Sequence, residues 1–317
     1  MVAEKLFTPG VTVIIPIYNG EADLPELIEC LEEQTYDPNL IEYLLIDNNS
    51  RDLTAEILES ATKQAAAKNI NLNHLSEPNI QSSYAARNFG IRQAQHNFLA
   101  FTDADCRPQP NWIEQLIKPF INSQVGIVVG EIVALTGKSL LEQYAERHHL
   151  MSQQFLLKHP FGAYGQTANL AIKKQAFIDA GLFRPHLTTG GDADICWRIQ
   201  QAGWQLESAP EAIIKHRHRN NLASFRSQFR RYGHSNRYLH ELHQVDLMRE
   251  LTLKEIVYRL SRWLVKELPK DSLKAIAGQA DLVDLINTPI DLIGFHARTT
   301  GQKTAKLPEE AKQIEWL

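Results

Sequence analysis

Asn97-Phe98-Leu99-Ala100-Phe101-Thr102-Asp103-Ala104-Asp105 decides how this chain is read. An apolar run ends abruptly in two carboxylates one residue apart. The run has the length of a buried strand. Residues i and i+2 of a strand point the same way, so both carboxylates should face the crevice beyond its carboxyl end. Open α/β sheets bind ligands in that crevice. Hard oxygen donors there suit a divalent cation, and such cations in enzymes commonly carry phosphates. Asp-x-Asp is also common in solvated turns, so its weight depends on what surrounds it.

The surroundings alternate. Val11-Thr12-Val13-Ile14-Ile15-Pro16 is a β-branched run of the kind buried in parallel sheets. Asp23-Leu24-Pro25-Glu26 then reads as a helix start, with Asp23 as cap and Glu26 closing a capping box. Leu24, Leu27, Ile28 and Leu31 follow at helical spacing. A second strand over 41–46 ends in Asp47, and a helix over 54–68, a strand over 72–75, a helix over 84–95 and a strand over 98–102 come next. This alternation predicts an α/β fold with a mostly parallel, doubly wound sheet. Further on, the pattern predicts strands over 126–134 and 212–216 and a polar helix over 140–157. Short helices over 175–180 and 194–202 are closed by Gly181 and Gly203, and a basic helix covers 222–243.

The chain has 317 residues, 44% of them hydrophobic, and a formal charge of −4, which lacks the basic footprint of a nucleic-acid binder. Cys30, Cys106 and Cys196 are scattered and odd in number, which fits a reducing compartment better than a disulfide framework. Residues 1–10 lack a signal-peptide core, and no stretch approaches the ~18 uninterrupted apolar residues of a membrane span. A cytoplasmic protein is expected, with peripheral attachment at the inner face of a membrane as the alternative. That alternative rests on Leu253, Ile256, Val257, Leu260 and Leu264, an apolar helical stripe accompanied by Lys254, Arg259, Arg262 and Lys266. The first expectation is that this helix packs on the main domain or on a subunit partner. Residues 303–317 read as a polar, mobile tail.

Several motifs occur in a telling order. They are Val13-Ile14-Ile15-Pro16-Ile17-Tyr18-Asn19, Leu45-Ile46-Asp47-Asn48-Asn49-Ser50-Arg51-Asp52, Ala86-Arg87-Asn88 and Asp103-Ala104-Asp105. Gly190-Gly191-Asp192-Ala193-Asp194-Ile195-Cys196-Trp197-Arg198 with Ala202-Gly203-Trp204 completes the series. Over roughly residues 10–235 this order resembles glycosyltransferase family 2. The resemblance implies a GT-A type nucleotide-sugar-binding fold and an inverting, metal-dependent transfer to a glycan or lipid-linked acceptor. A domain over 1–244 is expected (donor half to about 107, acceptor half from about 108), and the shift in sequence character after about residue 245 marks a helical extension with a tail over 245–317.

The resemblance also distributes roles. The Asp103/Asp105 motif becomes the holder of Mn²⁺ or Mg²⁺, with Asp105 the preferred direct ligand and Asp103, the second candidate, facing the ribose. Asp47 reads the base, Pro16 and Tyr18 wall it, and Arg87 reaches the donor phosphates or supports the metal-site carboxylates. An inverting displacement needs a base on the acceptor side, and Asp192 matches that position, although Gly191 stands where the family commonly has glutamate. Asp192 could otherwise be only a helix N-cap. His216 is a candidate metal ligand, since the family often has a histidine here, with His218 on the same face if this run is a strand. A solvated basic edge is the other reading of 215–219. Asp194, with Arg198 as a candidate partner, Trp197, Tyr164 and Asn169 are expected on the acceptor side or in support. Gln228-Phe229-Arg230-Arg231-Tyr232 faintly resembles an element of processive members, which makes Arg231 a candidate diphosphate clamp or a surface charge.

Rival readings remain. A sugar nucleotidyltransferase should carry a Gly-rich basic loop after its first strand, and Ile15-Pro16-Ile17-Tyr18-Asn19-Gly20 offers none. Walker A and G-x-G-x-x-G sequences are missing too. A noncatalytic nucleotide-sugar or carbohydrate binder on the same fold is opposed by retention of Asp47, Asp103, Asp105 and Asp192.

Overall fold

The computed structural model describes residues 7–317. In chain order the elements are β1 (Val11–Ile17), α1 (Leu24–Glu32), β2 (Ile41–Asp47), α2 (Thr54–Ala67), β3 (Leu72–Ser76), α3 (Ser83–Gln93) and β4 (Phe98–Thr102). Then come β5 (Cys106–Pro108), α4 (Trp112–Ile117), β6 (Val125–Ala134), α5 (Leu140–Arg147), β7 (Asn169–Lys173), α6 (Lys174–Ala180), α7 (Gly191–Gln201) and β8 (Gln205–His216). The chain continues through α8 (Leu222–His243), α9 (Leu253–Arg262), a five-residue π turn (Trp263–Glu267), α10 (Leu268–Ile276) and α11 (Leu282–Thr304).

One eight-stranded sheet runs β3-β2-β1-β4-β7-β6-β8-β5. β3, β2, β1 and β4 are mutually parallel, as the hydrophobic runs require, and β7 pairs antiparallel with both β4 and β6. The order reverses between β1 and β4, which opens a crevice beyond their carboxyl ends. β1 and β2 are buried along their whole length, so they contribute the centre of the main core with Leu27, Trp112, Val128 and Ile214.

The first helix is held differently from its expected capping box. Asp23 makes no capping hydrogen bond. Its carboxylate accepts from Arg107 at 2.9 Å, and Glu26 accepts from the same guanidinium at 2.9 Å. A buried arginine outcompetes the backbone amides for these acids, because charge-assisted bonds are the stronger ones. The expected helix over 140–157 stops at Arg147; His149 is left-handed at φ 49°, and a short 3₁₀ turn follows at Leu156–Lys158.

The chain divides into two compact units at other places than residue 244. The first comprises 7–133, 151–216 and 308–317, and the second 134–150 and 217–307. In the first unit the terminal segment is tied down. Leu182 N–H donates to the Glu315 carbonyl at 2.8 Å, and the Glu315 carboxylate accepts from Asn88 and Arg92. The expected mobile tail is therefore docked over its last residues. In the second unit α8 and α11 approach so closely that a Cβ at Gly233 would strike the Arg298 carbonyl, and one at Gly301 the Arg230 carbonyl. The stripe on α9 packs little: no residue of α9, the π turn or α10 is buried. Among the described residues no helix is long and apolar enough to cross a membrane.

Candidate active site

The loops after β1 and β2 are laced together. Asn19 N–H donates to Ser50 Oγ at 2.9 Å, Asn19 Oδ1 accepts from Arg51 N–H at 2.9 Å, and Gly20 N–H donates to Thr54 Oγ1 at 2.8 Å. Asn19 and Asn49 supply left-handed turns at φ 52° and 65°, a conformation asparagine tolerates. This lacing fixes Asp47 at the end of β2. Its carboxylate accepts from Ser50 N–H at 2.9 Å, and the residue is 8% exposed. Tyr18, the residue after β1, is 52% exposed, whereas Pro16 is buried within β1.

The two carboxylates after β4 do not face the same way. The strand ends at Thr102 and residues 104–105 form a turn, so strand alternation no longer applies. Asp103 accepts from the Arg87 guanidinium of α3 at 2.5 Å. Asp105 faces His216 at the end of β8, with Oδ1 to Nε2 at 3.5 Å. Cys106 and His216 are directly paired across β5 and β8, so donor atoms of Asp105, Cys106 and His216 gather within 4.8 Å of one another. Burial pushes the Cys106 thiol well up, and a soft sulfur is ill matched to a hard divalent cation. Behind the turn, Arg107 donates to the carbonyls of Ala104 and Cys106 as well as to Asp23 and Glu26, which anchors the carboxylate loop to α1.

Asp192 belongs to another element. α7 begins at Gly191, three residues earlier than its apolar spacing suggests, because Gly190 turns left-handed at φ 83°. Asp192 therefore lies in the first turn and is not the N-cap. Its carboxylate accepts from Thr167 Oγ1 at 2.7 Å. Burial pushes its pKa above the ordinary carboxylate range; Arg87 and Thr167 pull against that, and Asp103 adds to it. Asp192 thus sits within electrostatic reach of the Arg87–Asp103 pair.

Tyr84 explains the glycine at 191. Its hydroxyl accepts from Gly191 N–H at 3.0 Å, and its ring stacks on Phe183 with the Arg87 guanidinium 5.6 Å from its centroid. A Cβ at Gly191 would lie 2.6 Å from Tyr84 Cζ. The space a side chain at 191 would need is filled by this ring. Gly191→Ala is accordingly expected to lower stability by about 1–3 kcal/mol, as overpacking does, read as a drop in the urea midpoint at unchanged slope.

Other expected site residues are internal supports. Asp194 is 0% exposed and bonded to Arg184 at 3.0 Å and Arg198 at 2.9 Å, so it does not face an acceptor. Asn169, also 0% exposed, accepts from Trp112 Nε1 and donates to the carbonyls of Glu131 and Ala212, which ties α4, β6 and β8 to β7. Trp197 is buried and donates to the Gly162 carbonyl, pinning the loop over 161–165. Tyr164 is half-buried against Trp197, and Phe161, 43% exposed, is the aromatic that this loop presents outward. β8 ends at His216, so His218 shares no strand face with it; His218 is buried and belongs to the second unit, and Arg231 is exposed on α8 of that unit.

Sequence reasoning missed Tyr84, Arg107 and Thr167. Tyr84 had a faint signal, one turn before Arg87 on the same helix. Arg107 and Thr167 had none, since their partners lie 81 and 25 residues away.

The Glycosyl transferase family 2 model matches residues 12–183, and the Glycosyl transferase family group 2 model matches 98–269. The glycosyltransferase AglE of Haloferax volcanii is 32% identical over 83% of this chain and 82% of its own length. The pre-mycofactocin glycosyltransferase of Mycobacterium tuberculosis is 29% identical over 71% of this chain, which spans about half (46%) of that relative. Among solved structures, the mannosyltransferase PcManGT of Pyrobaculum calidifontis, in complex with GDP-Man and Mn²⁺, superposes with a TM-score of 0.64 at 16% identity, over 94% of this chain and 88% of that one. TarS 1–349 of S. aureus, in complex with UDP, superposes with a TM-score of 0.53 at 13% identity, over 93% and 90%. The fold is thus of the expected GT-A type. With more than half of its length matched by the family model, and a relative this similar over most of both chains, the chain belongs to glycosyl transferase family 2 and is a glycosyltransferase.

Proposed function

We propose that the protein transfers a sugar, with inversion, from a nucleoside-diphosphate sugar to a hydroxyl of a glycan or lipid-linked acceptor, in cell-envelope glycan synthesis. One observation carries the reading: two carboxylate settings, Asp103 with Asp105 after β4 and Asp192 on α7, are linked electrically through Arg87. Asp47, locked at the end of β2, accepts from the base, which favours a UDP-type donor, and the exposed Tyr18 ring walls that base. Arg87 Nε is buried without a hydrogen-bond partner among the described residues, which leaves a donor for a phosphate oxygen. Solved neighbours bound to GDP-Man or UDP support a nucleotide donor.

The Asp105 carboxylate and the His216 imidazole are chemically suited to a divalent cation, and the imidazole favours Mn²⁺ over Mg²⁺. Such an ion would supply Lewis-acid stabilisation of the departing diphosphate. Asp103 stays on Arg87 and orients it toward the phosphates. Asp192, on the other element, takes the acceptor hydroxyl's proton during attack.

Thermal shifts with a panel of nucleoside diphosphates and Mn²⁺, followed by donor hydrolysis, test this. UDP is expected to stabilise most, and EDTA to abolish turnover that Mn²⁺ then restores. Undiminished turnover in EDTA would refute the metal assignment, and nucleotide binding without any turnover would favour the noncatalytic reading. His216→Ala is expected to raise the Mn²⁺ concentration for half-maximal activity at least about tenfold.

A further inference from the structure

The segment 253–276 presents an apolar face that its own unit does not cover. Val265 is 77% exposed and Ile276 85%, with Leu253, Val257, Leu264 and Leu273 also more than half exposed. The segment is nevertheless seated. Trp263 Nε1 donates to the Leu285 carbonyl at 2.8 Å, and Glu267 accepts from Thr288 Oγ1 at 2.7 Å, both partners on α11. The inner edge is thus fixed, and the apolar row points outward. A surface helix in water normally does the reverse.

Charge surrounds this row in one sense. Residues 253–276 carry six Lys/Arg against three Asp/Glu, in a chain whose formal charge is −4. Arg262 and Lys274 are paired to Glu267 and Asp271. Lys254, Arg259, Lys266 and Lys270 have no carboxylate partner among the described residues. A second copy seated symmetrically on this face would bring these same cations against one another. An anionic lipid surface would not: leucines and valines enter the interface while the lysine stems reach back to phosphates.

We propose that the outer face of residues 253–276 docks on the surface of an anionic lipid bilayer. The inference is independent of the donor, the metal and the base. Its test is cosedimentation of the full chain with vesicles of phosphatidylglycerol and phosphatidylcholine against pure phosphatidylcholine, at low and high salt. Binding is expected to be at least about tenfold tighter on the anionic vesicles and to weaken with salt. Leu264→Glu with Val265→Glu, and separately Lys266→Glu with Lys270→Glu, should each remove that preference at an unchanged melting temperature. Absence of binding to the anionic vesicles, or equal binding by the variants, overturns the proposal. So does a dimer that Leu264→Glu dissolves in a protein that ignores the vesicles, because the face would then belong to a second copy.

Discussion

Asp192→Asn is expected to lower the transfer rate by about 10²–10⁴-fold, the usual contribution of a positioned general base, while nucleoside-diphosphate binding persists. Asparagine keeps the shape and can still accept from Thr167 Oγ1, so the start of α7 is undisturbed. Only the capacity to take a proton is lost. The proposed partners of the donor lie on other elements, Asp47 on β2 and Arg87 on α3, so its affinity should stay. The pH profile separates a base from a mere support. Burial raises the Asp192 pKa, and a base works only when deprotonated. In the parent, kcat/KM should therefore rise with pH through a pKa above the ordinary carboxylate range, with unit slope. In Asp192→Asn that limb should vanish along with the rate. A variant that keeps full transfer, or that keeps the acid limb, would assign the proton to another group.

The parallel half of the sheet was legible because both faces of its strands are buried. Val11–Ile17 and Ile41–Asp47 are almost wholly apolar, their buried Thr12 and Glu42 bonding each other, and carboxylates stand where Ile41–Asp47 and Phe98–Thr102 stop. The direction in which each carboxylate points was not legible. Period-two alternation holds inside a strand, and Asp103 and Asp105 lie just past one. Their orientations are set by Arg87, sixteen residues upstream, and by His216, brought in by the register of β5 on β8. The start of α7 was hidden for a related reason. Apolar spacing marks the buried face, whereas Gly190 at φ 83° and the Tyr84 hydroxyl mark the first turn. Long-range ion pairs were the least legible of all. Asp23 and Glu26 have the spacing of a capping box, and only Arg107, folded against them, shows that they serve another purpose.

Asp194→Ala is expected to lower stability by about 3–5 kcal/mol, the loss typical of breaking a buried ion pair on one side. The carboxylate is fully enclosed and faces two guanidiniums. Arg184 Nε donates to Oδ1 at 3.0 Å, and Arg198 Nε and Nη2 donate to Oδ2 at 3.0 and 2.9 Å. Removing it leaves two cations buried together, and burial already pushes the Arg198 pKa down against the pull of Asp194. Neither arginine can easily leave. Arg198 also donates to the carbonyls of Ala180, Gly181 and Leu182, and Arg184 to that of Lys312. These bonds close the α6 terminus and hold the last segment of the chain on the first unit. Replacing Asp194 and Arg198 together by apolar residues is therefore not expected to restore stability, because those carbonyls would lose their donor. Urea unfolding measures both variants. A midpoint for Asp194→Ala within about 0.5 kcal/mol of the parent, the range of ordinary surface substitutions, would mean that water or a rearranged carboxylate compensates the pair. A catalytic role for Asp194 would instead appear as lost turnover at a parental midpoint, an outcome opposed by its complete enclosure.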